Sequence, residues 1–245
     1  MKKRGISHVE VIVSFTIFIG IVAAIFLFIK PVREPTLSNV LLDIVEEGLR
    51  KDGTIALAKI PFKISESILN DPSNFPCFII THPLDIGPGK LSVDNVFIKK
   101  STGEAIPFDI NSDTFEIGDR DPFLYTILFS FDETFTRTPP GGTCVQVLED
   151  KVIFSAPRTE TLFSFSKLRQ LETAYNADYG GLKEKWFLPS TSDFSINISY
   201  SDGSHAFGME KKKPPPRRDV FAREFTVNML EETDVKQVSV NVRIW

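Results

Sequence analysis

From Val11 to Ile29 the chain carries no charged residue, and only Ser14, Thr16 and Gly20 interrupt it mildly. Lys2, Lys3 and Arg4 precede this run, and Lys30, Pro31 and Arg33 close it. As a helix at about 1.5 Å per residue, the run measures about 28 Å, one hydrocarbon thickness. Every backbone group in lipid must be bonded internally, so the pattern predicts a transmembrane helix over residues 6–30. The basic cluster before the run favours a cytoplasmic amino end, with the rest of the chain outside.

Pro31 and Pro35 then interrupt the helix, because proline lacks a backbone donor and clashes with the preceding turn. A second, amphipathic helix is predicted over 36–52 with Thr36 as its N-cap. Leu37, Val40, Leu41, Ile44, Val45 and Leu49 form one apolar stripe. Glu46 with Arg50, and Glu47 with Lys51, are favourable pairs one turn apart, and Gly53 suits the stop.

After Thr54 the period shortens to that of strands. Phe78–Thr81, Leu91–Ile98, Phe123–Phe131 and Thr143–Leu148 are candidate strands. Phe194, Ile196, Ile198 and Tyr200 alternate with polar residues. Phe221, Phe225, Val227 and Met229 alternate likewise, as do Val238, Val240, Val242 and Ile244, with Glu231–Asp234 as a polar break of hairpin length. Phe165, Leu168, Leu171 and Tyr175 have helical spacing, and Gly180-Gly181 is read as that helix's end. The expected class is therefore α+β: an N-terminal transmembrane and stem helix, then a mainly antiparallel β head over 54–245 with one inserted helix.

Composition narrows the picture. Of 245 residues, 42% are hydrophobic and 24% charged, which excludes wholesale disorder. A net charge of −4 excludes a general nucleic-acid binder, so no sequence-specific nucleic-acid partner is expected. The 22 phenylalanines can supply a large dry core. Cys77 and Cys144 match no compact metal or redox spacing; they are either one disulfide or two buried thiols, according to compartment. His8, His82 and His205 belong to no metalloprotease pair, and the chain has neither a nucleophile elbow nor a phosphate loop. No enzyme activity, cofactor or metal is expected. Asp109-x-Asn111-x-Asp113 opens like a calcium loop, but Thr114 and Arg120 stand where it needs glycine and an acid.

Two further motifs have both a bland and a functional reading. Asn197-Ile198-Ser199 is a sequon, with Asn197 placed by alternation away from the apolar face, a candidate N-glycosylation site. Lys211 to Arg218 sets five cations around three prolines, either a solvated loop or a contact for an anionic surface.

One residue resists a plain signal anchor. Glu10 lies at the entrance of the apolar helix, where an acid needs a partner or a function. Lys3-Arg4-Gly5, then Ile6-Ser7-His8-Val9-Glu10 and a long apolar helix, resembles the class III signal peptide of type IV pilins and archaeal pilin-like proteins. The resemblance covers about the first 30 residues. It implies a leader over 1–5, cut by a prepilin peptidase between Gly5 and Ile6, with Glu10 serving assembly. It further implies other pilin-like subunits, an assembly ATPase with its membrane platform, and membrane lipid as partners. The function so implied is a minor, archaeal, single-pass subunit of a surface filament or pseudopilus, with an adhesive head. An extracytoplasmic head would favour a Cys77–Cys144 disulfide. The rival reading is a membrane-anchored extracellular protein that captures a sugar or peptide and never polymerises.

Overall fold

The computed structural model describes residues 8–28, 37–65, 77–84, 91–111, 113–119, 124–216 and 218–245. The chain divides into two compact units, Met1–Val40 and Leu41–Trp245. In the first, α1 runs from His8 to Phe28. Among the described residues, no helix is long and apolar enough to cross a membrane.

This finding overturns the transmembrane helix expected over 6–30 and the single-pass placement in a cell membrane with the head outside. The pilin-like subunit and the anchored binding protein both depended on that anchor, and both readings are withdrawn with it. The Thr36 cap, Gly5 and Ile6 lie outside the described residues.

The second unit is mixed α+β. Its strands are β1 (Thr54–Ile64), β2 (Cys77–Thr81), β3 (Val96–Lys100), β4 (Phe108–Ile110), β5 (Thr114–Ile117), β6 (Leu124–Phe129) and β7 (Cys144–Gln146). They continue as β8 (Val152–Phe154), β9 (Arg158–Ser164), β10 (Phe194–Tyr200), β11 (His205–Met209), β12 (Phe221–Glu231) and β13 (Asp234–Ile244). The larger sheet has nine strands in the order β11-β10-β13-β12-β9-β1-β6-β3, with β8 also pairing β1; the smaller has the order β4-β5-β2-β7. Most pairs are antiparallel. The exceptions are β2 with β7 and β9 with β12, and the latter pair shares only two rungs, Met229 with Phe163 and Leu230 with Ser164.

The expectation of one inserted helix is also corrected. α3 spans Phe165–Ala177, and a second helix, α4, spans Tyr179–Lys185. Gly180 and Gly181 do not stop α3; they lie in the first turn of α4. The reason is Asp178, whose carboxylate accepts from the Gly181 N–H at 2.9 Å and so caps a new helix where glycine alone would have ended one.

Alternation along the strands feeds two cores. Phe163 and Met229 face a core shared with α2 (Leu37–Gly53), α3 and α4. Their neighbours Leu162 and Leu230 face the other core, shared by β1, β3 and β6 with the smaller sheet. Each fully buried Leu, Val or Phe contributes roughly 1.5–3 kcal/mol. On α2 the buried residues are Leu41, Leu42, Val45, Gly48, Leu49 and Gly53, so the stripe is rotated from the expected one: Leu42 is in, Leu37 and Val40 are out.

The end of α4 is set by Trp186. Its indole lies on Gly48, where an added Cβ would stand 2.5 Å from the ring, and its N–H donates to Asp52 at 2.8 Å. The next residue, Phe187, closes the helix: its N–H donates to the Glu184 carbonyl (3.0 Å), and the Leu188 N–H to the Lys183 carbonyl (2.8 Å). This pairing needs a left-handed residue, usually glycine, yet Phe187 holds it with φ 59°. A non-glycine residue there costs roughly 1–2 kcal/mol. The ring is also 86% exposed.

Below this corner, the buried Lys183 ammonium donates to the Ser190 carbonyl (2.9 Å) and to Asp193 (3.3 Å). Tyr179 donates to Asp193 (3.1 Å) and accepts from the Phe194 N–H (3.0 Å), while Lys212 reaches Asp193 at 3.2 Å. Burial pushes the Asp193 carboxyl up, but hydrogen bonds from Lys212 and Lys183 and the charge of Lys183 outweigh it and hold it below the usual range.

Two outcomes follow from this packing. Gly48→Ala forces a methyl into a ring held by Asp52, and is expected to lower unfolding free energy by about 2–3 kcal/mol in chemical denaturation. A carboxyl whose folded pKa lies below its unfolded value of about 3.9 stabilises the fold above that value and stops doing so as pH falls through the folded pKa. Unfolding free energy should therefore fall as pH drops below about 4, with a shallower fall in Asp193→Asn.

Candidate functional site

Where β9 meets β12, the surface opens into a cleft of about 610 Å³. Four separate segments build it. β3 and the turn after it bring Phe97 and Ala105; the loop after β6 brings Glu133, Thr134, Phe135 and Thr136. The first turn of α3 brings Phe165 and Ser166, and the tip of the β12–β13 hairpin brings Leu230, Glu232 and Thr233.

Local hydrogen bonds fix the loop after β6. The Ser130 N–H donates to the Asn95 carbonyl (3.1 Å) and the Phe135 N–H to the Asp94 carbonyl (2.7 Å). The Asn95 amide also donates to the Glu133 carbonyl. The loop is thereby tied to the 3₁₀ turn Val93–Asn95, which leaves the Glu133 carboxylate aimed at the start of α3.

Ser164, fully buried, caps α3 by accepting from the Lys167 N–H at 3.2 Å. Its hydroxyl donates to Glu133 Oε2, and the Ser166 hydroxyl donates to Glu133 Oε1 at 2.7 Å. The acid thus sits at the positive end of a 13-residue helix, where a carboxylate is favoured. It accepts from two serines and keeps acceptor capacity for a third donor.

At the opposite rim the hairpin tip is Glu232-Thr233. Lys99 pins it by donating to the Thr233 carbonyl at 3.2 Å. Glu231 is occupied elsewhere: the Lys236 hydrogen bond and the Tyr200 hydroxyl hold its carboxyl below the usual range despite burial. Glu232 is exposed and holds φ 54°. Two-residue hairpin turns call for glycine or asparagine at positive φ, so a glutamate there is costly. Among the described residues, Phe187 and Glu232 alone combine a side chain with a positive φ.

The lining therefore holds two carboxylates, three phenylalanine rings and no Lys, Arg or His. Cations stand just outside it: Lys99; Lys167, whose ammonium lies 3.7 Å from Asp132; and Arg169, whose guanidinium lies 4.9 Å over the Phe165 ring and 2.7 Å from Glu172. Such a pocket attracts a positive charge by Coulomb attraction and by the negative faces of the rings.

The residues singled out in the sequence lie elsewhere. Glu10 falls within α1. Cys77 and Cys144 face each other in the parallel β2–β7 pair and form a disulfide with Cα atoms 4.5 Å apart. Asn197 is exposed on β10, opposite Asn241 on one side and Gly208 on the other. Asp109 is engaged by Arg137 (3.0 Å) and Asp119 by Lys100 (2.9 Å). Among the described residues no cluster of acids, histidines or cysteines could hold a metal ion. His82 is buried, accepting from the Leu84 N–H and donating to the Asn111 carbonyl. From the basic, proline-rich stretch, Lys212 reaches Asp193 and Arg218 reaches the Thr191 carbonyl.

Sequence reasoning missed the cleft. One local signal pointed to it: the polar break Glu231–Asp234 contains neither glycine nor asparagine, although the spacing demands a tight turn. Compared with known proteins, the chain matches no family model, no curated protein and no solved structure.

Glu232→Gly is expected to raise unfolding free energy by about 0.5–1 kcal/mol, as relief of the left-handed strain exceeds the added entropy of glycine in the unfolded chain. Denaturant titration of the two chains measures it; an unchanged or lower midpoint would show that the glutamate is held there without strain.

Proposed function

We propose that the Leu41–Trp245 unit is a recognition domain whose cleft takes a cationic group presented beside an apolar or aromatic one. The observation that carries this reading is the lining itself: Glu133 and Glu232 over a floor of phenylalanines, with no cationic side chain among the lining residues. A guanidinium or ammonium entering there would pair with the carboxylates and lie against ring faces, as Arg169 already does on Phe165. The cleft offers such a group two carboxylates, a serine hydroxyl and ring faces.

The disulfide supports a place of work where thiols oxidise, since such bonds are rare in reducing compartments.

Arginine methyl ester is a suitable probe, with acetylated glycine methyl ester as the uncharged control. Calorimetry should show saturable binding of the first and none of the second. Glu133→Gln and Glu232→Gln should each weaken it about two- to fivefold, the loss of one charge interaction open to solvent. Equal affinity for the charged and uncharged esters, or wild-type affinity in both variants, would remove the proposal.

A further inference from the structure

We infer that the larger sheet lacks one strand, and that an extended segment of another polypeptide takes the vacant place between β9 and β12. Along β12 this slot precedes the two shared rungs, at Thr226–Asn228, whereas the cation-accepting cleft follows them, at Leu230–Thr233. The inference therefore goes beyond the reading of the cleft and does not rest on it.

Strand direction carries it. In the larger sheet every described pairing is antiparallel except that of β9 with β12. Where strands alternate in direction, taking one out leaves its two neighbours parallel. A strand set between β9 and β12, antiparallel to both, would make the direction alternate from β11 to β3 without a break.

The ladder agrees. β9 and β12 pair only at Met229 with Phe163 and Leu230 with Ser164. Continued towards the strand starts, that register would oppose Asn228 with Leu162 and Glu224 with Arg158. Among the described residues no such pairing is made, although β13 takes the other edge of β12 throughout and β1 the other edge of β9. Two edges thus face each other across a slot. Thr159 and Thr161 on one side, and Glu224, Thr226 and Asn228 on the other, are exposed. A cavity of about 440 Å³ opens between the strands beside the last rung.

The edges are also unguarded. Free edges are ordinarily blunted by lysine, proline or a bulge. Residues 158–162 and 221–228 contain neither residue, and the β12–β13 register runs without a shift. Their charges are directed elsewhere: Arg223 donates to Asp43 and Glu46 on α2, Glu160 pairs with Lys59, and Glu224 accepts from Ser239 at 2.6 Å.

The two faces of the slot set the chemistry of the occupant. On the helical side lie Phe163, Phe225 and Val227, with the Arg50 guanidinium 5.9 Å from the first ring and 4.9 Å from the second. Alternation places Thr226, Asn228 and Gln237 on the opposite side. The segment that fits alternates aliphatic and polar side chains, with its aliphatic set towards α2. Main-chain hydrogen bonds to both edges hold it, as in other cases of strand addition.

The probe is acetyl-Gln-Val-Ser-Val-Asn-Val-amide, the sequence of residues 237–242, which already runs antiparallel to β12 on its other edge. It is uncharged, so the carboxylates of the cleft do not draw it. Two forms carry p-benzoylphenylalanine at the amino or the carboxyl end, and each is irradiated with the full chain. Because the occupant opposes both strands, the amino-end label should cross-link saturably near the rungs, at 161–163, 226–228, Arg50 or Thr54. The carboxyl-end label should reach 158–159 and 221–224. Proline in place of the peptide's serine and asparagine should cut the yield about tenfold, since proline donates nothing to a ladder. Reversed ends, cross-links on the cleft, α1 or another surface, indifference to proline, or no saturable cross-linking would each overturn the inference. So would protection of 221–228 from hydrogen exchange that rises with chain concentration alone, which would assign the slot to a second copy.

Discussion

Two rungs of parallel ladder hold the larger sheet together. Met229 pairs with Phe163 and Leu230 with Ser164, and no other described pairing joins the β11-β10-β13-β12 half to the β9-β1-β6-β3 half. The seam survives because alternation sends its side chains both ways: Phe163 and Met229 into the helical core, Leu162 and Leu230 into the core beneath the smaller sheet. Slipping the register by one residue would send each side chain into the opposite core, among neighbours it was not shaped to fit. Packing on two sides thus supplies what so short a ladder cannot.

The cleft is a by-product of the same seam. β9 ends at Ser164, which must cap α3, and β12 ends at Glu231, which must turn into β13. Their junction therefore brings a helix start and a hairpin tip side by side, one offering N–H groups and hydroxyls, the other a carboxylate on a strained backbone. The loop after β6 adds Glu133 to the helix start, where the dipole and two serines receive it.

Much of the second unit was legible where the hydrophobic period was strong and local. The alternation from Phe194 to Tyr200 coincides with β10, and the helical spacing from Phe165 marks α3. The long hairpin of β12 and β13 turns within the polar break at Glu231–Asp234. Legibility ended where tertiary context overrode local habit. β9 begins Arg-Thr-Glu-Thr and shows its apolar residues only at the seam, so no period announces it. Asp178 converts a glycine pair from a stop into a start. The apolar run near the amino end dominated the sequence reading because length and hydropathy alone suggest a span, whereas among the described residues no helix meets that requirement. The cleft was invisible because its residues come from four stretches that only the fold assembles.

The Cys77–Cys144 bond has a consequence for handling the molecule. It closes a ring across a sequence separation of 67, and that ring carries β3 with Phe97, the smaller sheet, and the loop with Glu133. A protease that nicks the backbone once anywhere inside the ring leaves both fragments tethered. The scar would pass unnoticed in a non-reducing gel, and only added thiol would reveal two pieces.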